Sequence, residues 1–150
     1  MAHELTNPAL ADLEFLVGDW DMALSGAAFL PTPDTVVHGR VEIRPIENGG
    51  LLAMRQVIEP SGPPAATWVI GRDEARSDYT VLYADERGVS RRYEMAFVGE
   101  TWRIWRNDPH FSQRFDAAIG AERHRIVGRW QKRSAGGGWE PDFDLTYTRL

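Results

Sequence analysis

Apolar and polar residues alternate along most of this chain in short runs, interrupted at nearly even intervals by turn-forming clusters. These are Glu47-Asn48-Gly49-Gly50, Pro60 to Pro64, Arg72 to Asp78, Asp85 to Gly88, Gly99-Glu100, Asn107-Asp108-Pro109, Gly120-Ala121 and Ser134 to Gly138. Runs with a two-residue period, rich in Val, Ile, Trp, Tyr, Phe and Thr, are the mark of β-strands, and turns at this spacing belong to an antiparallel meander rather than to βαβ units. The pattern predicts ten strands, at 18–25, 35–45, 50–59, 66–72, 78–84, 89–98, 101–107, 111–118, 123–132 and 139–149. An open sheet of that length exposes two edges, whereas closure removes them. The expected fold is therefore all-β: a closed up-and-down antiparallel β-barrel of about ten strands, in a single domain spanning 1–150.

One helix is expected, at the start. Asn7 can cap it, Pro8 suits its first position, and Leu10, Leu13, Phe15, Leu16 and Val17 give it an apolar face before Gly18 ends it. It is short enough to plug one end of a barrel. The segment Ser25 to Asp34 carries two prolines and no helical period, so it reads as a loop between the first two strands and a lid over the other end.

Successive strand side chains point to opposite faces, so alternation identifies the inward set. It comprises Trp20, Met22 and Leu24; Val37, Val41 and Ile43; Leu52, Met54, Gln56 and Ile58; Tyr79, Val81 and Tyr83; Val89, Arg91, Tyr93, Met95 and Phe97; Trp102, Ile104 and Arg106; Phe111, Gln113 and Phe115; His124, Ile126 and Trp130; and Phe143, Leu145, Tyr147 and Arg149. Most of these are apolar. The polar minority, Gln56, Tyr83, Arg91, Tyr93, Arg106, Gln113, His124 and Arg149, is larger than a solid core tolerates without partners. Ten strands also enclose more space than eight, and the surplus becomes a cavity. An arginine inside must meet an acid, water or an anionic ligand, so Arg91 and Arg106 point to an anion on an otherwise apolar molecule.

Composition narrows the classes. The chain has 150 residues, 43% of them hydrophobic, and no cysteine, which excludes disulfides, thiolate zinc sites and a cysteine nucleophile. Its 17 basic and 22 acidic residues give a net charge of −5, the wrong sign for binding phosphates, so no nucleic-acid partner is expected. No apolar run approaches the roughly 20 residues that cross a bilayer as a helix. With no signal-like start at Met1 to Asp12, the expectation is a cytoplasmic protein with no membrane partner.

Specific chemistry is sparse. The four histidines, His3, His38, His110 and His124, show no ligand spacing, so no metal site is expected. Asp142 and Asp144 share one parity, opposite to Phe143, Leu145 and Tyr147, and are expected to face solvent rather than form a catalytic pair. No Gly-x-Ser-x-Gly nucleophile elbow is present.

The sequence Leu16-Val17-Gly18-Asp19-Trp20, a Gly-x-Trp that opens the first strand after a short helix, resembles the calycin superfamily of lipocalins, fatty-acid-binding proteins and nitrobindin-type barrels. In that superfamily an arginine near the end of the last strand packs across the tryptophan. Arg149, in Thr146-Tyr147-Thr148-Arg149, stands at the matching place, and the resemblance implies a cation–π contact with Trp20 worth ~1 kcal/mol. The 25–34 connection is too short and proline-rich for the two helices that fatty-acid-binding proteins insert there, and the strands outnumber those of a lipocalin. The arrangement is most similar to the nitrobindin type. Those barrels hold haem through a histidine close to the C-terminus, but no histidine follows His124, so the haem role is not carried over and no cofactor is expected. Asp85 to Tyr93, Phe111 to Phe115 and Asp142 to Arg149 also resemble a bacterial branch of such barrels whose members mostly lack assigned functions.

Three readings follow. The first is a cavity that binds a small apolar or amphipathic anion. Its apolar body would lie against Met22, Met54, Met95, Trp102, Phe111 and Phe115, its head near Arg91 and Arg106, oriented by Tyr83, Tyr93, Gln113, Gln56 and His124. The second is an isomerase or hydrolase in the same cavity, with His124 or Tyr93 carrying the proton. The third is a solid barrel that serves as an interaction module, with a homodimer formed through Trp68 or Trp105.

Overall fold

The computed structural model describes residues 5–58 and 64–150. The expected strand end at Glu59, the turn residues 60–63 and His3 lie outside the described residues. Ten strands follow a nine-residue 3-10 helix, Pro8–Leu16. They are β1 (Gly18–Ser25), β2 (Val37–Ile46), β3 (Leu51–Ile58), β4 (Ala66–Gly71), β5 (Tyr79–Asp85), β6 (Ser90–Val98), β7 (Thr101–Arg106), β8 (Phe111–Ile119), β9 (Arg125–Ser134) and β10 (Glu140–Arg149). Each pairs antiparallel with its neighbours in sequence, and β1 also pairs with β10, so the sheet is a closed barrel. Closure satisfies the backbone groups that an edge would leave bare. Among the described residues no helix is long and apolar enough to cross a membrane.

The helix begins as its residues dictate. Asn7 Oδ1 accepts from the Ala9 amide at 3.0 Å, Pro8 occupies the first turn, and the Thr6 and Asn7 amides donate to Gly49 O. Leu10, Leu13 and Leu16 are buried and form, with Trp20, Trp102 and Ile126, part of one continuous core. The helix thus caps the barrel at the end where β1 starts and β10 finishes. At the other end the loop after β1 buries Ala27 and Leu30 while Phe29 stays 57% exposed.

Alternation holds along most strands, but three expectations drawn from the sequence fail. First, β8 runs on to Ile119, which is buried, and Gly120 N donates to Arg125 O across a tight turn. His124 therefore sits exposed in that turn, before β9 begins at Arg125, instead of facing inward. Second, the β9–β10 register shifts between Pro141 and Phe143. Proline cannot donate to the ladder and settles at bulges, and a bulge reverses the parity of what precedes it. Asp142 consequently turns into the barrel while Asp144 remains outside, so the two do not share a face. Third, Trp68 is only 6% exposed and lies inside the barrel, which removes it from any surface between copies; Trp105 is half-buried on the outside.

Candidate functional site

The end away from the helix holds a cavity of about 540 Å³, well within the range of small-molecule sites. Trp68, Tyr83, Tyr93, Trp130 and Phe143 line one part of it. Met22, Leu24, Ile58 and Leu145 give an aliphatic part, and Phe29 and Pro64 stand at the mouth. The polar groups are Gln56, Arg87, Arg91, Gln113, Lys132 and Asp142.

Gln113 organises the polar end. Its Oε1 accepts from Tyr93 Oη at 2.5 Å and from Arg91 Nη1 at 3.4 Å, while its Nε2 donates to Asp142 Oδ2 at 3.2 Å. Two donors on one side and a carboxylate on the other leave only this orientation of the amide. Lys132 Nζ approaches Asp142 Oδ1 at 3.9 Å. Strands β6, β8, β9 and β10 thus bring five polar side chains into one network because Arg91, Tyr93, Gln113 and Lys132 all have inward parity and the bulge adds Asp142.

The charges at this end are unevenly satisfied. Arg91 lies over the Phe111 ring at 4.9 Å and touches the neutral Gln113, but has no carboxylate at ion-pair distance among the described residues. Arg87, at the mouth, is bound instead by Asp85, with Nη2 2.7 Å from Oδ2 and its amide 2.9 Å from Oδ1. Tyr83 Oη donates to the same carboxylate at 2.6 Å. The Arg87 hydrogen bond holds the Asp85 carboxyl well below the usual range. Burial first, and then the Asp85 contact, push the Tyr83 phenol up. Burial likewise raises Tyr93, whose hydrogen is committed to Gln113. Both phenols are neutral at neutral pH and act as hydrogen-bonding groups, not bases.

Of the residues expected at the site, Gln56, Tyr83, Arg91, Tyr93 and Gln113 come together on the cavity, with Met22 and Phe111. Met54, Met95, Trp102 and Phe115 do not line it; they are buried in the packed interior, where Trp102 stacks on Phe97 and meets Phe115 edge-on. Arg106 pairs with Gln113 across β7–β8, but its Nη2 turns to Asp108 at 3.7 Å and it does not border the cavity. His124 is exposed near the helix end, where its carbonyl accepts from the Arg149 amide. Sequence reasoning missed Asp142, Lys132, Arg87 and the inward placement of Trp68. Lys132 carried a readable signal, since it continues the parity of Ile126 and Trp130. For Asp142 the signal was Pro141, a residue that seldom sits in a regular ladder.

No family model matches the chain, and no curated protein matches it. Among solved structures, the crystal structure of Rv2717c from M. tuberculosis is similar, with a TM-score of 0.66 over 95% of this chain and 98% of that one, at 12% identity. A likeness at that identity establishes a shared fold. The chain is a closed ten-stranded antiparallel barrel, plugged by a short helix at one end and hollow toward the other.

Proposed function

We propose that this protein is a calycin-type barrel that binds a small amphipathic anion in its cavity, with the apolar body among the aromatic and aliphatic walls and the anionic head at Arg91. The calycin assignment is supported by Arg149 stacked on Trp20, the contact that the superfamily resemblance implies. The observation that carries the binding role is the unmatched charge of Arg91. A guanidinium cannot shed its proton, and one that meets an amide, a ring face and the Tyr93 phenol but no carboxylate, beside an apolar cavity, is set to receive a carboxylate or a similar anion. Lys132, loosely held by Asp142, adds to the positive field there.

Displacement of a fluorescent fatty acid from the full chain tests the reading. Wild type and His124→Gln are expected to bind the probe alike, because His124 is remote and exposed. Arg91→Gln is expected to bind it about ten-fold more weakly, on the order of 1.4 kcal/mol. If wild type binds no apolar anion, or Arg91→Gln binds as well as wild type, the proposal fails.

A further inference from the structure

Resting on that reading, we propose that the ligand is a short- to medium-chain acid, its apolar body no longer than about eight carbons, because the cavity is a shallow bowl and not a shaft down the barrel. The depth is read from the exposure of successive inward residues. Counted from the rim, the first are half-buried and border open space: Arg91 on β6, Phe111 on β8 and Lys132 on β9. The second, two residues further along each strand, are Tyr93, Gln113 and Trp130. These border the cavity yet are no more than 7% exposed, so they form its floor. Below them Met95 and Phe115 belong to the packed core, and the Phe115 ring fills the space that Gly128 leaves. Strand β3 repeats the order, with half-buried Ile58 above buried Gln56 and Met54.

The floor is sealed. The rings of Trp68, Tyr93 and Trp130 lie against one another, with centroids 5.3 to 6.1 Å apart, and Tyr93 Oη is fixed on Gln113. A chain that went deeper would have to displace packed side chains, which is costly in an interior at crystal-like density. Arg91 stands in the upper tier, so the anionic head is held near the rim and the tail has one tier beneath it. Two residues of strand advance about 7 Å, less where the strand tilts, and each carbon of an extended chain advances about 1.3 Å. About five carbons therefore carry the chain from head to floor, and a few more lie across it toward Met22 and Ile58. A longer chain turns back up toward Phe29 and Pro64 at the mouth, where water covers one side of it. A methylene adds affinity only while it is removed from water.

Displacement of the fluorescent fatty acid from the full chain by butanoate, hexanoate, octanoate, dodecanoate and hexadecanoate, each below its micellar concentration, tests this. Affinity is expected to rise about two- to four-fold per methylene as far as octanoate, and by less than about ten-fold in all from octanoate to hexadecanoate. Met22→Ala removes part of the floor, and is expected to move the break to a chain about two carbons longer. Circular dichroism shows whether that variant is folded; if it is not, the wild-type series alone decides. A steady gain per methylene through hexadecanoate overturns the length ceiling and leaves the amphipathic-anion reading standing. No rise between butanoate and octanoate also overturns it, since the bowl would then hold no chain. So does a break that stays in place in folded Met22→Ala, because the floor would not be what sets it. If no acid of any length displaces the probe, both proposals fall.

Discussion

The guanidinium of Arg149 stands 4.3 Å over the ring of Trp20, and the two residues are Cα partners in the β1–β10 pair that closes the barrel. The arginine also donates to the carbonyls of Val17 and Phe15, while Trp20 Nε1 donates to Leu16 O at 2.9 Å. These are carbonyls that the end of a helix leaves without partners. One stacked pair thus ties the first strand, the last strand and the helix together. Gly18 makes room for it: its φ is +139°, and a Cβ there would lie 2.6 Å from Arg149 Nη1. Arg149→Met keeps the apolar stem but loses the ring contact and the carbonyl bonds, and is expected to cost about 2–4 kcal/mol. Arg149→Lys should recover less than half, since an ammonium cannot stack and fork at once. Urea unfolding measures both, and a loss below about 0.5 kcal/mol in the Met variant, the range of an ordinary surface substitution, would refute the role.

Packing inside the barrel makes a second prediction. Gly128 pairs with Ala117 across β8–β9, and a Cβ on Gly128 would lie 2.5 Å from the Phe115 ring and 2.7 Å from Ala117 Cβ. The strand interior gives up a side chain so that the phenyl ring can lie flat on its backbone. Gly128→Ala is expected to destabilise by about 1–3 kcal/mol through overpacking. Adding Phe115→Leu relieves the clash with the ring, though not the one with Ala117 Cβ, so the double variant should cost less than the sum of the single ones. Strict additivity in that cycle would show that the ring is not what the glycine accommodates.

The strand count, the helix, the barrel closure and the Trp20–Arg149 pair were all legible in the sequence, because each rests on local periodicity or on a motif at a chain end. Five of the expected cavity residues were legible for the same reason: Gln56, Tyr83, Arg91, Tyr93 and Gln113 sit on regular stretches where parity holds. What failed was the depth along the barrel. Met54, Met95 and Trp102 have the right face but lie in the layer filled by side chains, and alternation says nothing about distance from the plug. His124 and Asp142 failed at single-residue shifts, one at a turn and one at a bulge, where one residue more or less reverses every direction that parity assigns.

Acid should expose the role of Asp85. Its carboxyl is held below the usual range chiefly by the Arg87 hydrogen bond, so it keeps its charge in the folded chain at a pH where the unfolded chain has begun to protonate. A depressed folded value means that the stabilisation is fully present above the unfolded carboxylate value, about 3.9, and is lost as pH falls toward the folded one. Asp85→Asn can still accept from Tyr83 but carries no charge for Arg87. The stability gap between wild type and Asp85→Asn should be constant from pH 8 to about 5 and shrink steadily below about 4. Urea midpoints taken across that range test it, and a gap that stays level or widens in acid contradicts the assignment.

Asp142 restrains the site's positive charge, and its removal should strengthen anion binding. Its carboxylate faces Lys132 Nζ at 3.9 Å and receives the Gln113 amide at 3.2 Å, close to the head position assigned to Arg91. Asp142→Asn preserves an oxygen for Gln113, so the amide keeps its orientation and Arg91 its contact. What disappears is one negative charge a short distance from the ligand's own, in surroundings less polarisable than water. Affinity for the fluorescent fatty acid should therefore rise about three- to ten-fold, on the order of 1 kcal/mol. The gain should diminish with added salt, because the head group lies near the open end where ions have access. Lys132→Met is expected to act in the opposite direction, by a smaller factor since that amine is partly neutralised already. Were Asp142→Asn to weaken binding instead, the aspartate would be a contact of the ligand, and the head group would carry a donor rather than a lone anion.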